Sequence, residues 1–191
     1  MFIVVEGLDG TGKSTISKAL ASAIGAVHLS TPQKSLSNAR KIIDDEYEDN
    51  SHARQLFYAS TVVNISQQIE RLISQGKSVV VDRYWLSTQV YHNWKCNGGS
   101  FMLLEIEKYI LAPDITIYLE LPLDARSKRI NQRHDNTKED SLTLIENSDT
   151  ELNKLYNSYQ SKAITGKWLA IDATQSIEYI VQDILTTINI Q

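Results

Sequence analysis

The segment Gly7-Leu8-Asp9-Gly10-Thr11-Gly12-Lys13-Ser14 fits the phosphate-loop pattern G-x-x-x-x-G-K-[ST]. The apolar run Phe2–Glu6 before it predicts a buried strand, and the pattern of Thr15–Ala21 after it predicts a helix. In this arrangement the glycines let backbone N–H groups point at phosphate oxygens, and the helix N-terminus adds partial positive charge. We therefore expect Lys13 to reach the β- and γ-phosphates of a nucleotide and the Ser14 hydroxyl to bind Mg²⁺.

Further apolar runs with strand character follow along the chain and alternate with helical patterns. Several of these runs are continuous, as in parallel strands that are covered on both faces. The alternation predicts one α/β domain over residues 1–191, with a five-stranded parallel sheet flanked by helices. The predicted strands are Phe2–Glu6, Ala26–Leu29, Ser78–Asp82, Ile115–Glu120 and Trp168–Asp172. Helices are predicted near 13–24, 35–46, 51–75, 87–95, 100–111, 122–133, 141–162 and 176–189.

Composition and charge limit the classes of function. With 191 residues, 42% of them hydrophobic and 22% charged, the chain resembles an ordinary globular domain. Its formal net charge of -4 gives no broad surface for nucleic acid, so a phosphate-bearing substrate requires a local cluster of Arg and Lys. Cys96 is the only cysteine and forms no internal disulfide. No apolar run approaches the roughly 20 residues of a membrane span, and no signal peptide precedes the first strand, so we expect a cytoplasmic protein without a membrane partner.

An acid and an arginine, Asp82 and Arg83, stand at the end of the third predicted strand. Ligands of parallel α/β sheets bind at the carboxyl ends of the strands. An acid at this place lies beside the phosphate loop and can hold Mg²⁺ through water, so Asp82 is predicted to belong to the metal site. Arg83 is predicted to bind a phosphate on the acceptor side. The alternative is a capping acid followed by a surface arginine.

Two large classes of phosphate-loop protein do not fit these residues. ATPase motors usually carry Asp-Glu after the strand, where Asp82-Arg83 stands in this chain. GTPases read guanine with Asn-Lys-x-Asp, but Asn153-Lys154 is followed by Leu155-Tyr156. The small-molecule kinases are the large class that remains.

A basic segment has the character of a kinase lid. Such an enzyme covers its site because water would otherwise accept the phosphoryl group. We predict a short lid over about 126–140, where Arg126, Arg129 and Arg133 fall on one helical face. Arginines there can close over ATP and neutralise charge during phosphoryl transfer. For Arg126, a solvated basic face is the alternative.

Two blocks of sequence together resemble the thymidylate kinase family. They are Gly7–Thr15 and Asp82–Tyr91, and the second contains an Asp-Arg-Tyr-x-x-Ser arrangement that is specific to this family. The resemblance spans nearly the whole chain and implies a P-loop kinase fold with ATP- and Mg²⁺-dependent transfer to a nucleoside monophosphate. Some details are similar to the divergent branch that includes mitochondrial UMP/CMP kinase. These details are Ser30–Pro32, Arg40–Glu46, Phe57–Ser60 and Asp82–Thr88.

The resemblance implies a donor side that binds ATP. Lys13 would bridge the donor phosphates, and Arg129 and Arg133 would be lid arginines that act in catalysis with Lys13 and Arg83. Some relatives carry an arginine in the phosphate loop at the position of Gly10. In this chain the lid arginines would have to supply that positive charge. The other donor-side residues implied are Gly7, Asp9, Thr11, Gly12, Ser14 and Thr15, with Asp172, Ala173 and Thr174 as the adenine loop.

The resemblance also implies an acceptor side that binds the monophosphate. Arg40 and Arg83 would grip its phosphate, a dianion that suits two guanidinium groups. Phe57 would stack on the base, and Tyr91 would pack against the sugar. Asp9 would lie near the acceptor phosphate and the metal. The acceptor set is completed by Thr61 and Ser87.

Two departures from the thymidylate kinase pattern both fall on the acceptor side. An arginine usually follows the stacking phenylalanine by four residues and donates to thymine O4, but Thr61 stands there in this chain. The usual Arg-Glu-Pro after the second strand is replaced by Ser30–Pro32. We therefore expect a pocket for pyrimidine monophosphates that is not tuned to dTMP alone, with dUMP, dCMP, UMP and CMP as candidates.

Two other functions stay open on the sequence. A deoxynucleoside kinase would need a carboxylate base beside the acceptor hydroxyl, and Glu46 and Glu48 are the candidates for it. A nucleotide-binding regulator without turnover would keep the same donor-side motifs. In the resembling family the helix predicted over 51–75 takes part in homodimer packing, so a homodimer is predicted.

Overall fold

The computed structural model describes residues 1–96, 99–101, 103–132 and 149–188, with the backbone alone at 104 and 149–152. These residues form a five-stranded parallel sheet in the order β2-β3-β1-β4-β5, so the strand that enters the phosphate loop is central. The predicted α/β architecture is confirmed. The strands are β1 (Phe2–Glu6), β2 (Val27–Ser30), β3 (Val79–Asp82), β4 (Ile115–Glu120) and β5 (Leu169–Asp172).

The register of the sheet brings the strand ends to one edge. Asp82 at the end of β3 pairs with Val5 of β1 and with Ser30 of β2. Glu120 at the end of β4 pairs with Asp172 of β5. The phosphate loop and the segments that follow the other strands therefore begin side by side.

Within the described ranges the sheet is covered by α-helices on both faces, as the alternating pattern predicts. Two short 3-10 helices, Lys34–Leu36 and Leu104–Tyr109, lie in the connections. The α-helices are α1 (Lys13–Ala23), α2 (Ser37–Glu46), α3 (Ser51–Ser74), α4 (Trp85–Lys95), α5 (Leu123–Asn131), α6 (Asp149–Gly166) and α7 (Ile177–Ile188).

The prediction of an α-helix over 100–111 is wrong. Only the 3-10 helix Leu104–Tyr109 forms there among the described residues. Side chains of α3 hold the chain on either side of it, because Gln55 exchanges two hydrogen bonds of 2.9 Å with the backbone of Phe101, and the Ser66 hydroxyl accepts from Leu111 N at 2.7 Å. These contacts fix both ends of the segment, and a 3-10 helix of six residues forms between them. Residues 141–148 of another predicted helix lie outside the described residues.

The central strand divides its side chains between two apolar cores. Ile3 and Val5 pack on one face with α1 and α7. Phe2 and Val4 pack on the other face with α3. Because side chains alternate along a strand, Glu6 lies on the face of Phe2 and Val4, where it is 0% exposed. A carboxylate is thus buried at the end of the central strand.

Most apolar residues of the long helix α3 are buried inside the chain itself. Val62, Ile65 and Ile69 are fully buried against the sheet, whereas Leu56 is 50% exposed. The apolar character of α3 is therefore largely explained by the core, and the homodimer stays a prediction. No helix in the described part of the chain is long and apolar enough to cross a membrane.

Candidate active site

The phosphate loop leads from β1 into α1 in a conformation that requires glycine. Gly10 and Gly12 have φ angles of 91° and 97°, which side chains rarely tolerate. A Cβ on Gly10 would also meet Ile130 and Arg126 of α5 at 3.0 and 3.1 Å. Gly12 caps α1 without a side-chain hydrogen bond, so the helix N-terminus faces the loop cavity and favours an anion.

Most of the predicted donor-side loop residues line one small cavity of about 120 Å³. Gly7 and Thr11 do not line it and instead shape the loop. Thr11 Oγ1 donates to Leu8 O at 2.9 Å, and a Cβ on Gly7 would lie 2.9 Å from the carbonyl oxygen of Leu119. The lining residues are Asp9, Gly10, Gly12, Lys13, Ser14, Thr15 and Arg83.

Lys13 is a buried cation in the floor of this cavity. Its side chain is 5% exposed, and Nζ donates to Leu8 O at 2.5 Å and lies 3.9 Å from Asp9 Oδ1. Burial and the positive charge of Arg83 lower the pKa of Lys13 to about 8, against the opposing effect of Asp9 and two other acids. A phosphate in the loop would add further negative charge beside Nζ and so favour the charged lysine.

Ser14 and Asp82 meet as the sequence predicts for the metal site. The Ser14 hydroxyl donates to Asp82 Oδ2, and Asp82 is 7% exposed. Its other oxygen, Oδ1, is buried and accepts no hydrogen bond from the described residues. A hydroxyl and a carboxylate with an unused buried oxygen fit Mg²⁺, which binds oxygen ligands and is completed by phosphates and water.

Asp9, Arg83 and Tyr91 form a compact charged group beside Lys13. Arg83 Nη2 donates to Asp9 Oδ1, while the Tyr91 hydroxyl donates to Asp9 Oδ2 at 2.7 Å and accepts from Asp9 N at 3.1 Å. The Arg83 guanidinium carbon also lies 5.2 Å from the centroid of the Tyr91 ring. Burial alone would raise the pKa of Asp9, but the charges of Arg83 and Lys13 and the Tyr91 hydrogen bond lower it well below its usual range.

A second, larger polar cavity of about 290 Å³ adjoins the phosphate loop. Asp9, Ser14 and Arg83 line both cavities, so the two share a wall. This second cavity contains five of the seven predicted acceptor residues: Asp9, Arg40, Arg83, Ser87 and Tyr91.

Two predicted acceptor residues, Phe57 and Thr61, are not among its lining residues. Tyr58 lines the cavity in their place, and the Phe57 ring packs edge-on against Tyr58 with the centroids 5.5 Å apart. Thr61 is 2% exposed and uses its hydroxyl to donate to Tyr58 O at 2.8 Å. The rotation of α3 therefore presents the tyrosine of the Phe-Tyr pair to the cavity.

Sequence reasoning missed three polar residues of α4 in this cavity: Thr88, His92 and Lys95. Their spacing of four and three residues puts them on one helical face, and Ser87 and Tyr91 are each followed by one of them. The ring of His92 lies 5.2 Å from the ring of Tyr58. The helical periodicity beyond the Asp-Arg-Tyr block is the signal that could have found them.

Arg126 is neither a lid residue nor part of a solvated face. It is 1% exposed, and its Nε donates to Asp9 O at 2.6 Å beneath the phosphate loop. Arg129 joins the two halves of the donor side, because Nη1 donates to Thr11 O at 3.3 Å and Nη2 donates to Ala173 O at 2.7 Å. Arg133 and residues 133–140 of the predicted lid lie outside the described residues.

The predicted adenine loop is a tight turn after β5. Asp172 accepts from Thr174 N and Thr174 Oγ1, each at 2.9 Å, and these hydrogen bonds lower the pKa of Asp172. Ala173 is buried, and its N donates to Glu120 O at 2.8 Å. Because Arg129 donates both to Ala173 O and to Thr11 O, this turn is fixed relative to the phosphate loop.

A larger cavity of about 650 Å³ lies behind β1, lined mainly by apolar side chains such as Val4, Trp85 and Trp168. Among the described residues that line it, Lys162 is the only cation, so this cavity offers no pair of cations for a phosphate. The two polar cavities at the strand ends are therefore the candidate active site.

Comparison with known proteins agrees with this geometry. A sequence model of the family described as thymidylate kinase matches residues 5–184. The chain belongs to the thymidylate kinase family. It is accordingly a phosphotransferase of the nucleoside monophosphate kinase type, as predicted.

Two relatives match nearly the whole of this thymidylate kinase family chain. A protein named probable thymidylate kinase from Methanocaldococcus jannaschii is 29% identical over 188 residues, which cover 97% of this chain and 94% of that protein. A thymidylate kinase from Plasmodium falciparum is 28% identical over 192 residues, which cover 96% of this chain and 87% of that protein. The similarity to the mitochondrial UMP/CMP kinase branch stays a prediction.

Solved structures share the fold of this thymidylate kinase family chain. Deoxyadenosine kinase from M. mycoides, with products dCMP and a flexible dCDP bound, superimposes with a TM-score of 0.75 at 20% identity over 100% of both chains. The same kinase with bound dATP gives a TM-score of 0.73 at 19% identity, over 99% of this chain and 100% of that chain. At such identities the likeness concerns the fold alone, and it confirms the predicted P-loop kinase architecture.

Proposed function

We propose that this protein transfers the γ-phosphoryl group of ATP to a pyrimidine nucleoside monophosphate in a Mg²⁺-dependent reaction. The observation that carries the proposal is the wall of Asp9, Ser14 and Arg83 shared by the phosphate-loop cavity and the second cavity. A donor phosphate in one cavity and an acceptor phosphate in the other would approach each other across this wall. Such positioning is the main requirement of phosphoryl transfer.

The acceptor phosphate would lie between Arg40 and Arg83. Both line the second cavity, one on α2 and the other after β3. Two guanidinium groups suit a phosphate dianion, because each can donate two parallel hydrogen bonds. Arg40 Nε donates at 2.9 Å to the hydroxyl of Tyr58, which donates in turn to Asp44 at 3.0 Å, so the arginine is oriented before the ligand arrives.

The donor phosphates would lie over the N-terminus of α1, with Lys13 beneath them. Ser14 and Asp82 would hold Mg²⁺, which when bound supplies positive charge to the donor phosphates. Arg129 links the phosphate loop to the turn after β5, where the adenine ring would lie. Arg133 is proposed as a second lid arginine by its spacing from Arg129 alone.

The transfer itself requires no strong general base. The acceptor oxygen is already anionic near neutral pH, because the second pKa of a phosphate monoester is about 6. Catalysis then consists of alignment and charge neutralisation by Lys13, Arg83 and Arg129. This differs from a deoxynucleoside kinase, in which a carboxylate must take the proton of a sugar hydroxyl.

The base would be recognised by the part of the cavity farther from the phosphate loop. Tyr58 offers an aromatic face for a planar ring, and His92 and Lys95 offer polar groups from α4. The proposed preference for a pyrimidine base follows from membership of the thymidylate kinase family. Thymidylate kinases carry a base-reading arginine at the position of Thr61, which in this chain is buried and does not line the cavity. No side chain at this position would select thymine, so we propose that dUMP, dCMP, UMP and CMP are accepted alongside dTMP.

The decisive experiment measures ADP production with Mg²⁺ and ATP against dTMP, dUMP, dCMP, UMP, CMP, AMP, GMP and thymidine. Turnover of pyrimidine monophosphates is the expected result, and preference for cytosine or uracil would support the broader pocket. Turnover of dTMP alone would contradict that pocket and leave an ordinary thymidylate kinase. Activity on thymidine alone would favour a nucleoside kinase, and no activity would favour a nucleotide-binding regulator.

A further inference from the structure

We propose that Glu6 is a positioning residue, which orients Arg83 at the acceptor site through the hydroxyl of Ser87. The inference rests on the proposed role of Arg83 in binding the acceptor phosphate. Glu6 itself touches neither of the two polar cavities, since it lines neither of them. Its effect on the reaction must therefore pass through other side chains.

Glu6 caps the N-terminus of α4, although Glu6 itself belongs to strand β1. Tyr84, the residue before α4, provides no side-chain cap. Instead the Glu6 carboxylate accepts from Tyr84 N at 2.9 Å and from Ser87 N at 3.4 Å. An anion at this place satisfies free N–H groups and interacts favourably with the helix dipole. The last residue of β1 thereby fixes where α4 begins.

The Ser87 hydroxyl is the centre of the arrangement. It donates to Glu6 Oε2 at 2.6 Å and accepts from Arg83 Nη1 at 3.1 Å, and it lies 2.9 Å from the Tyr159 hydroxyl. A serine hydroxyl has one hydrogen, and an ionised carboxylate only accepts. The Ser87 hydrogen therefore goes to Glu6, the Tyr159 hydrogen goes to Ser87, and a lone pair of Ser87 is left for Arg83. The carboxylate polarises the hydroxyl and makes it a better acceptor for the guanidinium.

Arg83 combines an unusual backbone conformation with a side chain that is held by two partners. Its φ angle is 68°, a left-handed conformation for a residue with a long side chain. The guanidinium is held at one end by Asp9 and at the other by Ser87. Without Ser87 the Asp9 ion pair and the contact with the Tyr91 ring would remain, but Nη1 would lose its hydrogen bond. Because Nη1 and Nη2 are both held, the guanidinium keeps one orientation at the wall that the two cavities share.

Glu6 is held by hydrogen bonds in a buried site that raises its pKa. It is 0% exposed, and burial raises its pKa, while hydrogen bonds from Ser87 and Tyr84 N and the charges of Arg83 and Lys13 oppose that rise. A carboxylate buried in apolar surroundings is costly unless it is hydrogen-bonded. Its hydrogen-bond partners, Tyr84 N and the Ser87 hydroxyl, belong to the segment that begins with Arg83.

The test compares Glu6→Gln, Ser87→Ala and the double variant in steady-state assays. Glutamine keeps the size of Glu6 and can accept from Tyr84 N, but its amide would donate to Ser87 and compete with Arg83. We expect each single change to raise the KM of the acceptor monophosphate about tenfold and the KM of ATP less than about twofold. Since both act through one contact, the double variant is expected to match Ser87→Ala within about twofold.

Two matched control variants distinguish an effect on the position of Arg83 from a general loss of stability. Glu120→Gln makes the same change at the end of the neighbouring strand β4, where the carboxylate contacts Tyr156 and Gln160 of α6. Ser66→Ala removes a buried serine hydroxyl that accepts a backbone N–H from Leu111. Both are expected to leave the acceptor KM unchanged, even if they lower the temperature of unfolding.

Equal loss of acceptor and ATP binding in Glu6→Gln, or additive effects in the double variant, would overturn the proposal. If Glu6→Gln fails to fold, Ser87→Ala and Tyr159→Phe carry the test. Tyr159→Phe keeps the contact from Glu6 through Ser87 to Arg83 and must therefore raise the acceptor KM less than Ser87→Ala.

A crystal structure of Glu6→Gln separates this inference from the proposed function. A displaced Arg83 guanidinium is expected, and one that still donates to Ser87 as in the wild type would overturn the inference. A wild type that phosphorylates no monophosphate would instead contradict the proposed function, and the position of Arg83 would still test the inference.

Discussion

Asp9 in the phosphate loop and Arg83 after β3 form a direct ion pair at the wall between the two polar cavities. The two residues lie 74 positions apart in the sequence and meet because β1 and β3 are neighbours in the sheet. Asp9 also lies 3.9 Å from Lys13, so one carboxylate balances a cation of the donor side and a cation of the acceptor side. Binding of either phosphate therefore changes the electrostatic balance seen by the other.

Replacement of this carboxylate by an amide is expected to slow turnover. Asp9→Asn keeps the size of the side chain, but only one of its two terminal atoms can still accept a hydrogen bond. Lys13 and Arg83 then become neighbouring cations without a shared anion. We expect kcat to fall roughly a hundredfold, by comparison with other losses of one transition-state contact. Asp114→Asn, at the amino edge of the sheet, where Asp114 accepts from Phe2 N at 2.6 Å, is the matched control. Equal kcat values for the two variants would contradict the role of Asp9.

Lys13 is expected to matter far more for turnover than for folding. Its positive charge is buried and has a lowered pKa, so it is held in the folded protein at some cost. Lys13→Ala should reduce kcat roughly a thousandfold and leave the free energy of unfolding unchanged or slightly higher. Lys18→Ala, at an exposed position of the same helix, should change neither. A Lys13→Ala variant with full activity would rule out the proposed mechanism.

The lowered pKa of Lys13, about 8, predicts proton uptake when ATP binds. The ATP phosphates favour the charged lysine, so binding raises its pKa back toward the usual 10.5. The bound state then holds more protons than the free state, and ATP affinity must fall as the pH rises through 8. At pH 8 we expect uptake of about half a proton per ATP.

Calorimetric titrations in buffers of different ionisation enthalpy measure this number. Lys13→Met should abolish the uptake at pH 8, because the other groups of the donor cavity remain while the titrating amine is gone. Uptake that persists in the variant would assign the proton to another group.

Substitution of Arg126 is expected to lower stability, whereas substitution of Arg129 is expected to lower turnover. Arg126 is buried under the phosphate loop, so Arg126→Ala should leave a cavity and lower the free energy of unfolding by about 2–4 kcal/mol. Arg129 is half-buried and joins Thr11 O to Ala173 O, so Arg129→Ala should change stability by less than about 1 kcal/mol while lowering kcat about tenfold or more. Urea unfolding and steady-state assays of both variants measure the two effects. Reversed effects would show that Arg126, and not Arg129, acts on the nucleotide.

The strands and the donor side were predictable because their signals are local. Phe2–Glu6 and Ile115–Glu120 have the observed bounds, and the other three strands differ from prediction by one residue at one or both ends, since continuous apolar runs mark buried parallel strands. The phosphate-loop pattern also fixes the contact of Lys13 with the loop and the position of Ser14, because the residues that it brings together are close in sequence.

The acceptor side was less predictable because it depends on how α3 and α5 are rotated against the sheet. Neighbouring residues on a helix point about 100° apart, and the sequence does not say which of Phe57 and Tyr58 faces a cavity. Contacts from Gln55 to the distant Phe101 help to set that rotation. In the same way, the spacing of the lid arginines places Arg126 on a face of α5, but only packing shows that this face is buried.

The choice between the two aromatic residues of α3 gives the sharpest test of the acceptor site. Tyr58 lines the cavity and its hydroxyl joins Arg40 to Asp44, whereas Phe57 contacts the cavity only through the edge of Tyr58. Tyr58→Ala removes both an aromatic face and the support of Arg40, so the KM of the acceptor should rise at least about tenfold with ATP binding unchanged.

Phe57→Ala removes a similar aromatic area from the adjacent position and should raise the acceptor KM less than about threefold. Tyr58→Phe divides the Tyr58 effect further, because it keeps the ring and loses only the hydroxyl contacts with Arg40 and Asp44. An intermediate acceptor KM for Tyr58→Phe would show that base stacking and phosphate binding both depend on this side chain. A larger effect from Phe57→Ala than from Tyr58→Ala would instead place the base against Phe57, as the family pattern implies, and would require α3 to rotate when the nucleotide binds.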